Sequence, residues 1–169
     1  AVTVTTIMLL GLVNVHQASV EPLFTDKDFS RPPLRDRFIY YEFTQSETIN
    51  IPPGTSIAMP EIGILGYYLP DMHILDTAGL VSPDAVDFFP VPDEERVSAS
   101  AGVVPREYIR ETQPDMVVTL EIFIRQGLSE DAWFLENYQL LNWSGSPVQP
   151  APTDSFLVYV RNDYMQALQ

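Results

Sequence analysis

The chain has 169 residues, 46% of them hydrophobic, which suits one globular domain burying roughly two thirds of its unfolded surface. Nine Lys and Arg against 23 Asp and Glu leave a net charge of −14, a field that repels phosphate backbones and anionic headgroups and so argues against nucleic acid and charge-driven membrane binding. With no cysteine there is no disulfide, thiolate metal site or cysteine nucleophile, and cysteine usage leaves the choice between cytosol and an exported location open.

Residues 1–20 carry no formal charge; the first charged side chain is Glu21. A transmembrane helix takes about 20 predominantly apolar residues. Here Thr3, Thr5, Thr6, Asn14, His16 and Gln17 interrupt the run, and the absence of a basic flank also disfavours a signal peptide. Two readings stand. The segment is the outer end of a transmembrane helix that begins outside this chain, or it is a buried N-terminal strand or helix, to which Val2, Val4 and the β-branched threonines are suited. The rest, 21–169, reads as a single soluble α/β domain.

From Glu21 to Pro33 the chain is polar and proline-rich, a connector. Between Arg35 and Asn50, Phe38, Tyr41 and Thr44 recur at helical spacing, and Pro52-Pro53-Gly54 then stops the predicted helix. Thr55–Met59 reads as a strand, Gly63–Leu69 as a short helix or turn, and Met72–Asp76 as a second strand ending in Thr77-Ala78-Gly79. Pro83–Phe89 is expected to form one helical turn with Ser82 as its N-cap, and Pro90–Glu95 a loop. Pro105–Thr112 has helix-start chemistry and stops before Pro114. Met116–Ile122 is a near-continuous apolar run, as expected of a strand covered on both faces. Ser129–Asn137 is a weak helix, Tyr138–Trp143 and Ser155–Arg161 are the last strands, and Pro147–Pro152 is loop. Alternation of strands and helices predicts an α/β fold: a mixed, mostly parallel central sheet of about five strands flanked by helices, the last two strands close enough to pair antiparallel.

Function-bearing patterns are few. Glu61, Asp71 and Asp76 fall at strand ends, where ligands gather in open α/β sheets and paired carboxylates can serve as acid and base. The alternative is structural: Asp76 braces its own turn and Glu61 serves a helix N-terminus. Asp71 and His73 share a strand face while Asp76 points to the other, and only two histidines occur in the chain, so no metal is predicted. No Gly-x-Ser-x-Gly elbow is present, and Gly63-Ile64-Leu65-Gly66 lacks the spacing and lysine of a phosphate loop. Tyr67, Tyr68, Phe88, Phe89, Phe123, Trp133, Phe134, Tyr138 and Trp143 could stack on sugars, with core packing as the plainer reading. Asn142-Trp143-Ser144 is a glycosylation sequon, a weak three-residue match.

Four segments together carry a resemblance: Glu61-Ile62-Gly63, Gly66-Tyr67-Tyr68, Ile74-Leu75-Asp76-Thr77-Ala78-Gly79-Leu80, and Pro114-Asp115-Met116-Val117-Val118. In this order, over roughly residues 35–143, they resemble the soluble C-terminal domain of multi-spanning, polyprenyl-phosphate-sugar-dependent glycosyltransferases of the C-type membrane fold. That family transfers a sugar from a lipid-phosphate donor on the outer side of the membrane, using a carboxylate in an early loop not contained in this chain. The resemblance implies a non-catalytic extracytoplasmic module with no catalytic residue and no cofactor of its own. It would be tethered to a membrane portion of the same polypeptide, and would bind or position a glycan, a polyprenyl-linked sugar or an acceptor. Glu61, Tyr67, Tyr68, Asp71 and Asp76 would line the candidate cleft. It also favours reading residues 1–20 as the remnant of a last span, although their polarity departs from that pattern. The alternative function is a free-standing soluble α/β enzyme, hydrolase-like, with Glu61 and Asp76 as acid and base.

Overall fold

Short β-branched and apolar stretches between proline and glycine breakers become the parallel strands, and the longer connections between them become helices. In the computed structural model, residues 39–45, 50–96, 103–141 and 155–168 are described. All fall within the unit Asp36–Gln169. The expected boundary at residue 20, the connector Glu21–Pro33, the sequon at Asn142 and the loop Pro147–Pro152 lie outside the described residues.

Residues 39–44 are helical (α1). Strand β1 (Ser56–Met59), helix α2 (Ile62–Tyr68) and strand β2 (His73–Asp76) follow, then helix α3 (Arg106–Thr112), strand β3 (Met116–Leu120), helix α4 (Ala132–Asn137), and strands β4 (Tyr138–Leu140) and β5 (Phe156–Arg161). The five strands form one sheet in the order β2-β1-β3-β5-β4. β1 pairs parallel with β2 (Met59 opposite Asp76) and with β3 (Ala58 opposite Val117), while β5 lies antiparallel to both β3 and β4. Four strands therefore run one way and β5 alone runs against them. The expected mixed α/β sheet is present, with its parallel part confined to β2-β1-β3 among adjacent pairs.

Alternation along the strands sorts side chains into two cores. Ile57, Met59, Met116, Val118, Phe156, Val158 and Val160 face one side, where Tyr40 and Phe43 of α1 and Leu65 of α2 cover them. Ala58, Val117, Leu157 and Tyr159 face the other, against Ile109 of α3 and Phe134 of α4. Burial of each such aliphatic side chain contributes about 1.5–3 kcal/mol relative to exposure. Because β3 and β5 are covered on both faces, they read as near-continuous apolar runs, departing only at Thr119 and the terminal Arg161. The Tyr138 hydroxyl is buried with them and donates to the Pro114 carbonyl at 2.8 Å.

Several element boundaries differ from expectation for local reasons. β3 stops at Leu120, and Glu121–Phe123 turns into a 3-10 helix, with the Arg125 guanidinium gripping both Glu121 carboxylate oxygens at 2.8 and 2.6 Å. α4 begins at Ala132 rather than Ser129, because Asp131 is its cap and accepts the Phe134 amide at 2.9 Å. Pro83–Phe88 is a 3-10 helix whose residue Ser82 makes no side-chain cap; the Ser82 hydroxyl is already the acceptor for the Asp76 amide. Asp93–Glu95, expected as loop, is a 3-10 turn that brings Glu95 into the interior.

Candidate functional site

The connection from β1 to β2 runs through α2 on one face, and the connection from β2 to β3 runs through α3 on the other. The carboxyl ends of β1 and β3, neighbours whose connections leave in opposite directions, thus form the topological switch point where open α/β sheets gather ligands. Glu61 emerges there, two residues beyond Met59, and Asp76 sits beside it on β2.

Asp76 is fully buried, with 0% of its surface exposed. Its Oδ1 accepts the Ala78 amide at 2.9 Å and its Oδ2 accepts the Val81 amide at 2.8 Å. The Thr77 amide donates to the Met59 carbonyl at 2.9 Å, tying the turn to β1. Gly79 completes the turn at φ +78°, where a Cβ would also meet Val86 Cγ2 at 3.0 Å. Both carboxylate oxygens of Asp76 are therefore engaged by the backbone they shape. Burial raises the nearby Tyr108 hydroxyl above its ordinary pKa, opposed by a hydrogen bond with Ser82 and assisted by the charges of Asp84 and Asp76. The Thr77 hydroxyl is buried there with no hydrogen-bond partner among the described residues.

Glu61 is exposed at the N-cap position of α2 but makes no side-chain cap bond. The remaining candidates lie at the opposite end of the sheet. Asp71 precedes β2, and its carbonyl accepts the Gly54 amide at 2.8 Å at the start of β1. Asp71 lies two residues before the start of the four-residue strand β2 and Asp76 at its end, an extended separation of at most about 16 Å. α2 starts beside the carboxyl edge and runs back toward Asp71, so Tyr67 and Tyr68 end up on the Asp71 side. Tyr68 stands edge-to-face with Tyr67 at 5.0 Å and with Tyr41 of α1 at 5.1 Å. The five candidate residues thus separate into two groups, Glu61 with Asp76 and Tyr67 with Tyr68 and Asp71. Among the described residues no three His, Asp or Glu side chains cluster as a metal site.

Residues 36–164 match the family described as Domain of unknown function (DUF8728). The chain belongs to this family. No curated protein and no solved structure matches it. The DUF8728 match spans all five strands, the Asp76 turn and the tyrosine group.

Two polar clusters of the DUF8728 domain escaped the sequence reading. At the start of α3, Arg106 pairs with buried Glu95 at 2.7 Å and approaches Asp131 at 3.6 Å. Arg110 reaches Asp131 at 2.5 Å and Glu107 at 3.0 Å, with its guanidinium 5.8 Å from the Trp133 ring centre. Burial raises the Asp131 carboxyl pKa, but the Phe134 amide and the Arg110 and Arg106 guanidiniums outweigh it and hold the group below its ordinary value. At the amino edge, Asp115 Oδ2 accepts the Ser56 amide at 2.8 Å and the Ser56 hydroxyl at 2.6 Å, while Oδ1 meets Arg161 at 3.0 Å. Arg161 also donates to the Gln113 carbonyl and to Asp163. Arg106 and Arg110 at i and i+4 on one helix were the available signal for the first cluster; its partners Glu95 and Asp131 are distant in sequence, and only the fold joins them. Both clusters bind one element to another. Among the described candidate aromatics, Phe134 and Tyr138 are buried in the core, whereas Tyr67, Tyr68 and Phe89 are exposed.

Proposed function

We propose that this DUF8728 chain is a non-catalytic extracytoplasmic accessory domain of a membrane glycosyltransferase, joined to a membrane portion of the same polypeptide and positioning a glycan or acceptor. The observation that carries the reading is the state of Asp76. The Asp-x-x-Gly-Leu element is a moderately specific part of the resemblance, and its carboxylate accepts two backbone amides in a buried turn instead of facing a substrate. Asp115 of the Pro-Asp-x-Val-Val element likewise ties β3 to β1. These motif residues serve the fold, as an accessory module requires. The alternative enzyme reading needs Asp76 as a free acid or base, and this geometry weighs against it. No helix among the described residues is long and apolar enough to cross a membrane.

The test begins with the reading frame around the chain, which should encode several apolar spans upstream. In membranes carrying the full-length protein, excision of this domain should reduce transfer from polyprenyl-phosphate sugars to the acceptor while leaving the membrane portion folded. The isolated chain should show no turnover in a glycosidase and esterase screen. Turnover that disappears in a folded Asp76→Asn variant would overturn the proposal.

A further inference from the structure

The observations reach furthest at the tyrosine corner. Tyr67 is 77% exposed, Tyr68 45% and Tyr41 36%, and the Tyr68 ring touches each of the other two. Tyr68 lies at interplanar angles of 84° to Tyr67 and 65° to Tyr41, so the rings form a corner with aromatic walls in different planes. On α2, Gly63 and Gly66 share the outer face with Tyr67 at i, i+3 and i+4. Neither glycine has a positive φ, and a Cβ added at either would meet nothing within 4 Å. Packing and backbone conformation among the described residues therefore give no reason for glycine there, and the result is a bare helix shelf beside an exposed ring. Such a shelf permits close approach of a ligand to the backbone.

Charge restricts what could occupy it. α2 carries no ionisable residue other than its two tyrosines. The five described cations, Arg96, Arg106, Arg110, Arg125 and Arg161, are each engaged in an ion pair with a carboxylate. α2 itself therefore offers no cation to a phosphate or a uronate, and the chain's −14 charge opposes either. A bilayer surface is a poorer occupant, because interfacial helices rely on long apolar faces rimmed with Lys and Arg, whereas α2 has seven residues and no cation. A pyranose ring has an apolar face of C–H groups that stacks on an aromatic ring and an edge of hydroxyls that tyrosine hydroxyls and exposed backbone can meet.

We infer that Tyr67, Tyr68 and Tyr41, with the Gly63–Gly66 shelf, form a stacking site for an uncharged sugar ring. This rests on the accessory-domain reading for the source of the glycan and deepens it: the site takes the neutral saccharide and not the phosphate of a lipid-linked donor. The test is NMR titration of the 169-residue chain with maltohexaose, cellohexaose and mannohexaose, alongside hexagalacturonate and phosphatidylcholine vesicles. At least one neutral hexaose should shift the signals of Gly63, Gly66, Tyr67 and Tyr68. Tyr67→Ala should weaken that binding about tenfold, the scale of one lost aromatic contact with its buried area, and Tyr67→Trp should retain it. Silence with all three neutral hexaoses, equal binding of hexagalacturonate, or shifts caused by vesicles alone would overturn the assignment. Because Tyr67 is largely solvent-exposed, its replacement should leave the thermal midpoint unchanged, which separates lost binding from lost folding. The excision experiment decides the accessory role independently: loss of transfer on excision with silent titrations would remove only the sugar site, and sugar binding without upstream spans would remove only the parent enzyme.

Discussion

Replacing Asp76 with asparagine separates the two roles a strand-end carboxylate can have. In the folded chain its two oxygens accept the Ala78 and Val81 amides at 2.9 and 2.8 Å in a fully buried turn. Hydrogen bonds to a charged acceptor contribute about 1.5–3 kcal/mol each, and a buried donor left unpaired costs about 1–3 kcal/mol. Asparagine keeps one carbonyl oxygen but places an NH2 group against the second amide, so one bond becomes neutral and the other is lost. The expected loss is about 3 kcal/mol, equivalent to a fall of roughly 10 °C in Tm for a domain of this size. Asp76→Ala should lose somewhat more. Urea denaturation followed by circular dichroism measures the change, with an unchanged m-value confirming that the unfolding reaction is the same. Glu61→Gln is the control: its side chain is exposed and caps nothing, so its effect should stay within about 0.5 kcal/mol. An Asp76→Asn protein as stable as the parent would refute the turn-brace argument and return Asp76 to the acid–base reading.

Two further outcomes follow from the same structure. Gly63→Ala and Gly66→Ala should each stabilise the chain by about 1 kcal/mol, the helix-propensity difference at an unobstructed site, read by the shift in urea midpoint; destabilisation would show that the shelf is not open. The Asp131 carboxyl is held below its ordinary pKa in the folded state, so its contribution is complete above the unfolded value of about 4 and disappears as pH falls through the lower folded value. Asp131→Asn should therefore cost stability at neutral pH, and its disadvantage should shrink in acid melts; a deficit constant from pH 7 down to about 2 would refute the charge argument.

The parts of the fold legible in sequence were those governed by local chemistry. Pro52-Pro53-Gly54, the apolar run at Met116 and the helix-start signal at Pro105 placed β1, β3 and α3 within a residue or two. Parallel β1 and β2 followed from a connection long enough for a crossover, and the antiparallel β4–β5 pair was also anticipated. Strand order was not legible, because no local pattern says that β5 inserts between β3 and β4. The end of β3 was overrun because Ile122 resumes the apolar pattern after Glu121, while Glu121–Phe123 forms a 3-10 turn with Glu121 paired to Arg125. For the candidate site, the sequence offered both roles for Asp76, and two amide contacts favour the brace. It could not tell that α2 reverses direction and carries Tyr67 and Tyr68 to the other end of the sheet from Asp76. Nor could it distinguish exposed tyrosines from buried ones: Tyr108 stands among the charged residues Arg106, Glu107 and Arg110 and is buried, whereas Tyr67 and Tyr68 follow an apolar stretch and are exposed.

The distribution of polar groups restricts what such a domain can recognise. Its described arginines are paired, Asp76 and Asp115 hold backbone amides, and Glu95 and Asp131 hold arginines. Recruiting Glu95, Asp131 or Asp115 to a ligand would break a bond that joins two elements, and removing one partner of a buried pair typically costs about 3–5 kcal/mol. Ligand recognition through those groups would therefore loosen the fold that presents them. Aromatic contact has no such conflict at α2, where the tyrosines are exposed and the adjacent glycines leave the backbone bare. Under the proposal of an accessory domain, its share is the uncharged part of the glycan.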